Sequence, residues 1–438
     1  MSMSLVSRVV ARNYKNVRLA DGIDFGALSI LIGANGSGKS NLTSLFHFLQ
    51  ECLFSASVED QHGRTSFEDA VYRLGGTRIL DGSLDTPANV EFEYQFAIGG
   101  NETTLGIELL IQDFHRQVIL EREYLDRGRG LSNPPAYYRV HSSGNGGSGS
   151  GVVSVLDHPH DRIGDLLSSS FHLETIKNIS FRELALSAMP RLLENSRFPP
   201  EAVLLYEPRG KIMDFLKDWK FYNSNNMDLE RIRLSEPKLG QSDIFVSPAG
   251  DNLALVLYNL AQVDFEFEEL LNQLMKDILP STRKVRAVAA GRFSLAVEWN
   301  VEGSNEPFFL YEMSDGTVRM LCWAVILHSP KLPSLIVIDE PELGIHPAWM
   351  PILAEWIKVA AQRTQVVIST HSPDLLDHFT DQLDNACSIY AFQPDTESPS
   401  HHSPTRLTRD AVSGWLEEGW QLGDLYRVGN PAVGGWPW

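Results

Sequence analysis

Gly33-Ala34-Asn35-Gly36-Ser37-Gly38-Lys39-Ser40 is the stretch whose reading decides the fold. It has the form G-x-x-x-x-G-K-S. Leu28-Ser29-Ile30-Leu31-Ile32, just before it, is a short apolar run suited to a buried strand. Leu42, Leu45, Phe46 and Leu49, just after it, recur at helical spacing, so the loop sits between a strand and a helix. Glycines let the backbone bend and turn its N–H groups inward on phosphates, at the positive end of the following helix. Asn35, Gly36, Ser37, Gly38, Lys39, Ser40 and Asn41 are therefore the candidate nucleotide-binding residues. Lys39 is placed to reach the β- and γ-phosphates, and the Ser40 hydroxyl to ligate Mg²⁺.

The 438 residues allow two to three domains, and 43% hydrophobic content is ample for a sizeable core. A formal charge of −19 argues against a uniformly basic coat for nucleic acid, while leaving room for a local basic groove. Cys52, Cys322 and Cys387 have no metal-ligand spacing and fit buried thiols in a reducing compartment. No apolar run approaches a bilayer span, and Met1 to Val10 lacks a secretory apolar region. A soluble cytoplasmic protein is expected, with no membrane contact.

Val6 to Ile23 reads as strands around a turn at Asn13-Tyr14-Lys15-Asn16, and Phe67 to Leu74 as a short helix ended by Gly75-Gly76. Val90 to Ile98, Thr104 to Ile111 and Gln117 to Leu125 alternate as half-buried strands of an antiparallel sheet. Gly144 to Gly151 reads as a flexible loop, and Asp157-His158-Pro159-His160-Asp161 as a solvated loop, not a metal site. Ile163 to about Asn195 has a helical pattern, and Glu207 to Leu239 is mixed and polar. A helix entered at Asn252 and a second over Phe265 to Leu279 follow, then strands over Val285 to Trp299 and Phe308 to Tyr311.

Met313-Ser314-Asp315-Gly316-Thr317-Val318-Arg319 opens an apolar helix. Ser-x-Gly at a helix entrance offers a hydroxyl, free N–H groups and a positive dipole end, though Ser is also an ordinary cap. Leu335-Ile336-Val337-Ile338 then delivers Asp339 and Glu340 to the carboxyl end of a buried strand, where open α/β sheets bind nucleotides. Asp339 would hold Mg²⁺ through its water shell, and Glu340 would polarise the attacking water. A second apolar strand, Gln365 to Ser369, ends in Thr370-His371-Ser372-Pro373, where His371 would donate to the γ-phosphate.

G-A-N-G-S-G-K-S, M-S-D-G-T-V-R, L-I-V-I-D-E-P-E-L-G-I-H-P and S-T-H-S-P, in that order, resemble the ABC-type ATPases. More closely, they are similar to the predicted-ATPase family with RecF/SMC-like heads. The likeness extends to Gly250-Asp251-Asn252-Leu253-Ala254 and to the tail from Leu416 to Gly435, with its L-G-D-L-Y-R-x-G segment. It implies an α/β P-loop head with a mostly parallel core sheet, an antiparallel β subdomain and an inserted, mainly helical region. Three segments are expected: 1–126 and 283–438 as lobes of the head, and 127–282 as the insert. The resemblance also implies ATP and Mg²⁺, and a homodimer whose two heads sandwich two nucleotides. Ser314 and Gly316 would be the signature that completes the partner's site, Glu342 to Gly344 the D-loop, and His371 the switch. Met313 stands where the family usually has Leu, and no glutamine loop is placed, Gln61 being a weak candidate.

The implied role is an ATP-driven switch in DNA metabolism or anti-phage defence beside an effector such as a nuclease or toxin, with nucleic acid as a further candidate ligand. Two other classes compete. In the nucleotide-binding subunit of a membrane transporter, the signature follows the phosphate loop by far fewer than the roughly 275 positions between Lys39 and Ser314. A nuclease of the overcoming-lysogenisation-defect type needs a second catalytic domain. The 67 residues after His371 are short for one, and their acids form no clear metal constellation.

Overall fold

The computed structural model describes residues 3–54, 65–112, 117–128, 136–143, 148–157, 171–194, 202–235, 237, 240–383, 387–395, 398 and 400–434. Gln61, the tract 158–161, Trp436 and Trp438 lie outside them. The chain folds as two compact units. The first holds Met1–Gly26, Asn35–Trp219 and Phe392–Thr405, and the second Ala27–Ala34, Lys220–Ala391 and Arg406–Trp438.

The first unit is built on an antiparallel sheet. Strands β1 (Leu5–Arg12) and β2 (Leu19–Asp24) form one edge. Next to β1 come β4 (Ala88–Ile98), β5 (Asn101–Gln112), β6 (Gln117–Arg127), β7 (Ala136–Ser142), β8 (Ser148–Leu156) and β9 (Phe171–Ser180), each beside the last. The strict alternation of β4 explains its place: Val90, Phe92, Tyr94 and Phe96 are all fully buried on one face. That face meets helix α1 (Lys39–Phe54), whose Leu42, Leu45, Phe46 and Leu49 are buried in turn. Tyr94 donates its hydroxyl to the Leu45 carbonyl at 2.9 Å, so the buried phenol is satisfied. Helix α2 (Ser66–Leu74) starts on a capping box, with Thr65 and Glu68 each accepting from the other's backbone N–H. Helices α3 (Ala185–Leu193) and α4 (Tyr206–Lys217) complete this unit.

The second unit holds most of a sheet in the order β10-β14-β15-β3-β16-β17, of which 392–394 and 402–405 are counted with the first unit. These are β3 (Leu28–Ile32), β10 (Lys220–Asn223), β14 (Leu335–Asp339), β15 (Gln365–Thr370), β16 (Cys387–Pro394) and β17 (His402–Leu407). The first five of these run parallel. Every residue of β3 and β15 is buried, as expected of parallel strands covered on both faces. A small antiparallel sheet, β11 (Thr282–Ala290), β12 (Ser294–Val301) and β13 (Phe308–Phe309), lies in the same unit. Its helices are α5 (Leu229–Leu234), α6 (Leu253–Val263), α7 (Phe265–Ile278), α8 (Asp315–His328), α9 (Met350–Ala361), α10 (Pro373–Asp377), α11 (Arg409–Glu417) and α12 (Leu422–Arg427). Helix α8 is buried almost all round, from Thr317 to His328 with only Arg319 part-exposed, and is the centre of this core. Burial pushes the His328 imidazole down to about 4, and its ring meets Trp356 edge-on. No helix among the described residues is long and apolar enough to cross a membrane.

Three sequence expectations change. The stretch read as helical from Ile163 to Asn195 contains strand β9, whose mostly exposed face gives no clear period-2 signal. Half of the Gly144–Gly151 tract is strand, not loop. A Cβ on Gly149 would overlap the His141 carbonyl and one on Gly151 the Arg139 carbonyl, so glycine is what lets β8 lie against β7. In the segment read only as mixed and polar, β10 forms the edge of the parallel sheet.

Glu123 on β6 is a fully buried acid of the first unit. It accepts from the amides of Ala185 and Leu186 at the start of α3, the latter at 2.8 Å, and from the Tyr138 hydroxyl at 2.5 Å. Burial pushes its pKa up to about 7, against the pull of Tyr138 and the two amides. A folded pKa above the unfolded value stabilises most below the unfolded pKa, and that contribution is lost as pH rises through about 7. Stability should therefore fall by on the order of 3 kcal/mol between pH 4 and pH 8 through this group. Denaturant titrations of wild type and Glu123→Gln should show the slope flattened in the variant.

Candidate nucleotide site

The phosphate loop begins at Gly33 and Ala34, counted with the second unit, continues from Asn35 in the first and enters α1 at Lys39. Gly36 and Gly38 have φ of +80° and +95°, the region only glycine enters freely, which turns successive N–H groups to one side. A Cβ on Gly38 would overlap Val17, so this glycine is required twice over. Asn35, Gly36 and Ser40 are exposed, while Ser37 and Lys39 are buried at the helix start. The Ser37 hydroxyl is buried without a hydrogen-bond partner among the described residues. An unsatisfied hydroxyl beside inward-turned amides fits the oxygen-rich phosphates of a nucleotide. Asn41 points elsewhere. Its amide donates to Asn16 at 2.8 Å and accepts from Lys15 at 3.1 Å, tying α1 to the turn after β1. Beside that turn, Lys15, Asn16, Arg78, Asp81 and His401 line a cavity of about 980 Å³. His401 is buried and meets Asp81 at 2.9 Å.

The acidic edge belongs to the second unit. In register, Asp339 of β14 stands opposite Ser369 of β15, and Thr370 stands opposite Ile32 of β3. The carboxyl ends of the three strands are thus flush. Asp339 accepts from the Asn223 amide at 2.9 Å and from the Ser369 hydroxyl. Glu340 follows with φ of +52°, a conformation that costs a non-glycine residue energy and recurs at functional sites. Its carboxylate lies 3.1 Å from His371 Nδ1 and accepts from the Asn225 amide at 3.3 Å. At 3.1 Å, His371 Nδ1 approaches the carboxylate without making a hydrogen bond to it. Glu342 is buried and accepts from the Thr370 hydroxyl at 2.6 Å and the His371 amide at 3.3 Å, and burial raises its pKa.

Ser314 is exposed and caps α8, its hydroxyl accepting from the Thr317 amide at 3.3 Å. Gly316 is small for a reason within the chain: a Cβ there would lie 3.1 Å from the Trp349 ring and 3.2 Å from the Gly344 carbonyl. Arg233 fixes this segment from α5, donating to the Met313 carbonyl at 2.8 Å and pairing with Asp315 at 2.6 Å. Within the second unit, then, Asp339, Glu340, His371 and Glu342 gather at one sheet edge, and Ser314 and Gly316 form a separate helix entrance. The residues sequence reasoning missed are Asn223, Asn225 and Ser369. The signal of the two asparagines was weak, because β10 is four residues long, and Asn223 at its end and Asn225 just after it look like turn formers.

Gly38→Ala should reduce nucleotide affinity at least about tenfold, because both φ and Val17 oppose the new methyl. Titration with a fluorescent ATP analogue checks this; wild-type affinity would contradict the loop assignment.

Among solved structures, the chain is similar to an SMC head bound to the C-winged helix domain of ScpA, at 13% identity over 95% of this chain and 99% of that one, TM-score 0.49. It is similar to the SMC head domain from Thermotoga maritima, at 12% identity over 92% and 98%, TM-score 0.42. A third likeness is to an Smc head domain from Pyrococcus furiosus with an extended coiled coil, bound to the C-terminal domain of ScpA, at 13% identity over 95% and 99%, TM-score 0.45. No curated protein matches the chain. The family described as "AAA domain, putative AbiEii toxin, Type IV TA system" matches residues 28–377. With more than half of its length matched, and with the phosphate loop and the acidic strand end inside the match, the chain belongs to this family of P-loop ATPases.

Proposed function

We propose that this protein hydrolyses ATP with Mg²⁺ and works as an ABC-type switch whose heads pair on ATP and part after hydrolysis. The observation that carries this reading is the flush ending of β3, β14 and β15, which puts the root of the phosphate loop and two consecutive acids on one sheet edge. Asn35 to Ser40 bind the phosphates, with Lys39 supplying charge and the loop amides supplying donors. Ser40 and Asp339 hold Mg²⁺, which when bound neutralises phosphate oxygens. Glu340 orients the attacking water, and His371, 3.1 Å from that carboxylate, donates to the γ-phosphate. Asn223 and Asn225 hold the two acids with neutral amides, which fixes their direction. Ser314 and Gly316 complete the site of a second copy.

The setting that best fits is DNA metabolism or anti-phage defence, with the effector activity on another chain. We read 127–282 as the segment that selects that partner, apart from 220–226, whose asparagines serve the acidic edge.

Lys39→Ala should abolish ATP binding. Glu340→Gln should bind ATP, fail to turn it over and accumulate as a dimer in light scattering; hydrolysis at the wild-type rate would place the water-activating group elsewhere.

A composite site makes a sharper demand. Ser314→Arg should keep monomer ATP binding yet be inactive, because the long cation blocks closure. Mixed with Lys39→Ala it should regain partial activity that grows with protein concentration, since one intact site can form. Normal hydrolysis by Ser314→Arg alone would exclude pairing through this segment.

A further inference from the structure

Helix α12, Leu422-Gly423-Asp424-Leu425-Tyr426-Arg427, carries the tail motif, and the roles assigned above leave it without one. Its partners lie in the segment that follows His371. There, the Ser372 hydroxyl caps α10 by accepting from the Leu375 amide at 3.2 Å, and the chain runs on to Thr380. From α12, the Leu422 amide donates to the Thr380 hydroxyl at 3.0 Å and the Gly423 amide to Asp377 at 2.7 Å. The Arg427 guanidinium bridges Asp374 and Asp377, the latter at 3.0 Å, and reaches Asp424 at 2.9 Å. Those two carboxylates of α10 would otherwise repel, and a planar fork can hold both. Gly423 has no room for a side chain: a Cβ would overlap the Pro373 carbonyl and the Asp377 carboxylate.

The other side of the same segment is held by Glu342. It grips Thr370 and His371, and its second oxygen is buried without a hydrogen-bond partner among the described residues. Tyr426 of α12 lies within the field of that carboxylate, which, after burial, raises the phenol's pKa. The residues on either side of His371 are therefore fixed by Glu342 before it and by α12 after it.

We propose that α12 is a clamp that positions His371 for hydrolysis, with Arg427 and Gly423 as its positioning residues. The claim rests on the reading of His371 as a γ-phosphate donor. It explains why a tail far from the phosphate loop in sequence carries a compact motif of Gly, Asp, Tyr and Arg. Removing the clamp frees α10 and lets the histidine swing, while the nucleotide's main contacts stay in place.

The test uses the full chain with Arg427→Ala, Arg427→Lys and Gly423→Ala, the last acting through sterics instead of charge. Hydrogen exchange should speed up several-fold at 370–378 in Arg427→Ala and Gly423→Ala. Their kcat should fall about tenfold with ATP affinity within about twofold of wild type, and Arg427→Lys should recover part of the loss. In a His371→Ala background, Arg427→Ala should cost little more, because the two changes remove one effect. Unchanged exchange at 370–378, or a loss that adds in full to that of His371→Ala, would overturn the clamp. Absence of ATP hydrolysis in the wild type would instead overturn the reading of the site, and the exchange rates would still judge the clamp.

Discussion

The parallel backbone ladder that joins β14, β15 and β3 is the constraint on which everything at the sheet edge depends. Each strand is short and apolar, and burial on both faces leaves its backbone no partner except its neighbours. Pairing Asp339 with Ser369 and Thr370 with Ile32 then leaves no freedom in where the strands stop. A slip of one residue in β14 would bury Asp339 and expose an aliphatic side chain, a cost far above the energy of any single hydrogen bond. The acids are thus placed by hydrophobic burial, and the polar groups around them only refine their aim.

That refinement has a consistent chemistry. Among the partners of Asp339 and Glu340 are the neutral donors Asn223, Asn225 and Ser369, while Arg319 is spent on the Ser224 carbonyl. A guanidinium paired to either acid would depress its basicity and compete with a cation for it. Glu342, one turn away, is different: it is buried, engages a hydroxyl and an amide, and ties the loop after β14 to the end of β15.

Much of this was legible in sequence, and for physical reasons. G-x-x-x-x-G-K-S is constrained at nearly every position by backbone geometry and charge, and LIVID and QVVIST carry continuous apolar runs that admit few alternatives. The antiparallel strands β4 to β6 announced themselves by alternation. What stayed hidden was set by tertiary contact. The face of β9 is too exposed to show a period, Ser148–Gly151 joins β8 only because β7 approaches so closely, and β10 is too short to rise above its polar surroundings. Gly316 was legible as a small residue, but its neighbours Trp349 and Gly344 were not.

The interleaving of the two units along the chain has a consequence for biosynthesis. Leu28–Ile32 emerges from the ribosome early, yet its neighbours in the sheet are Gln365–Thr370 and Cys387–Pro394. At about 5–20 residues per second, that strand waits on the order of 15–60 s for partners. Through that interval a mostly apolar segment is without its sheet, while the antiparallel strands up to Ser180 already have all of theirs. Co-translational order therefore favours the first unit, and the parallel sheet, with its long-range pairings, closes last. The nascent chain is most exposed to aggregation at the strand from which the phosphate loop springs.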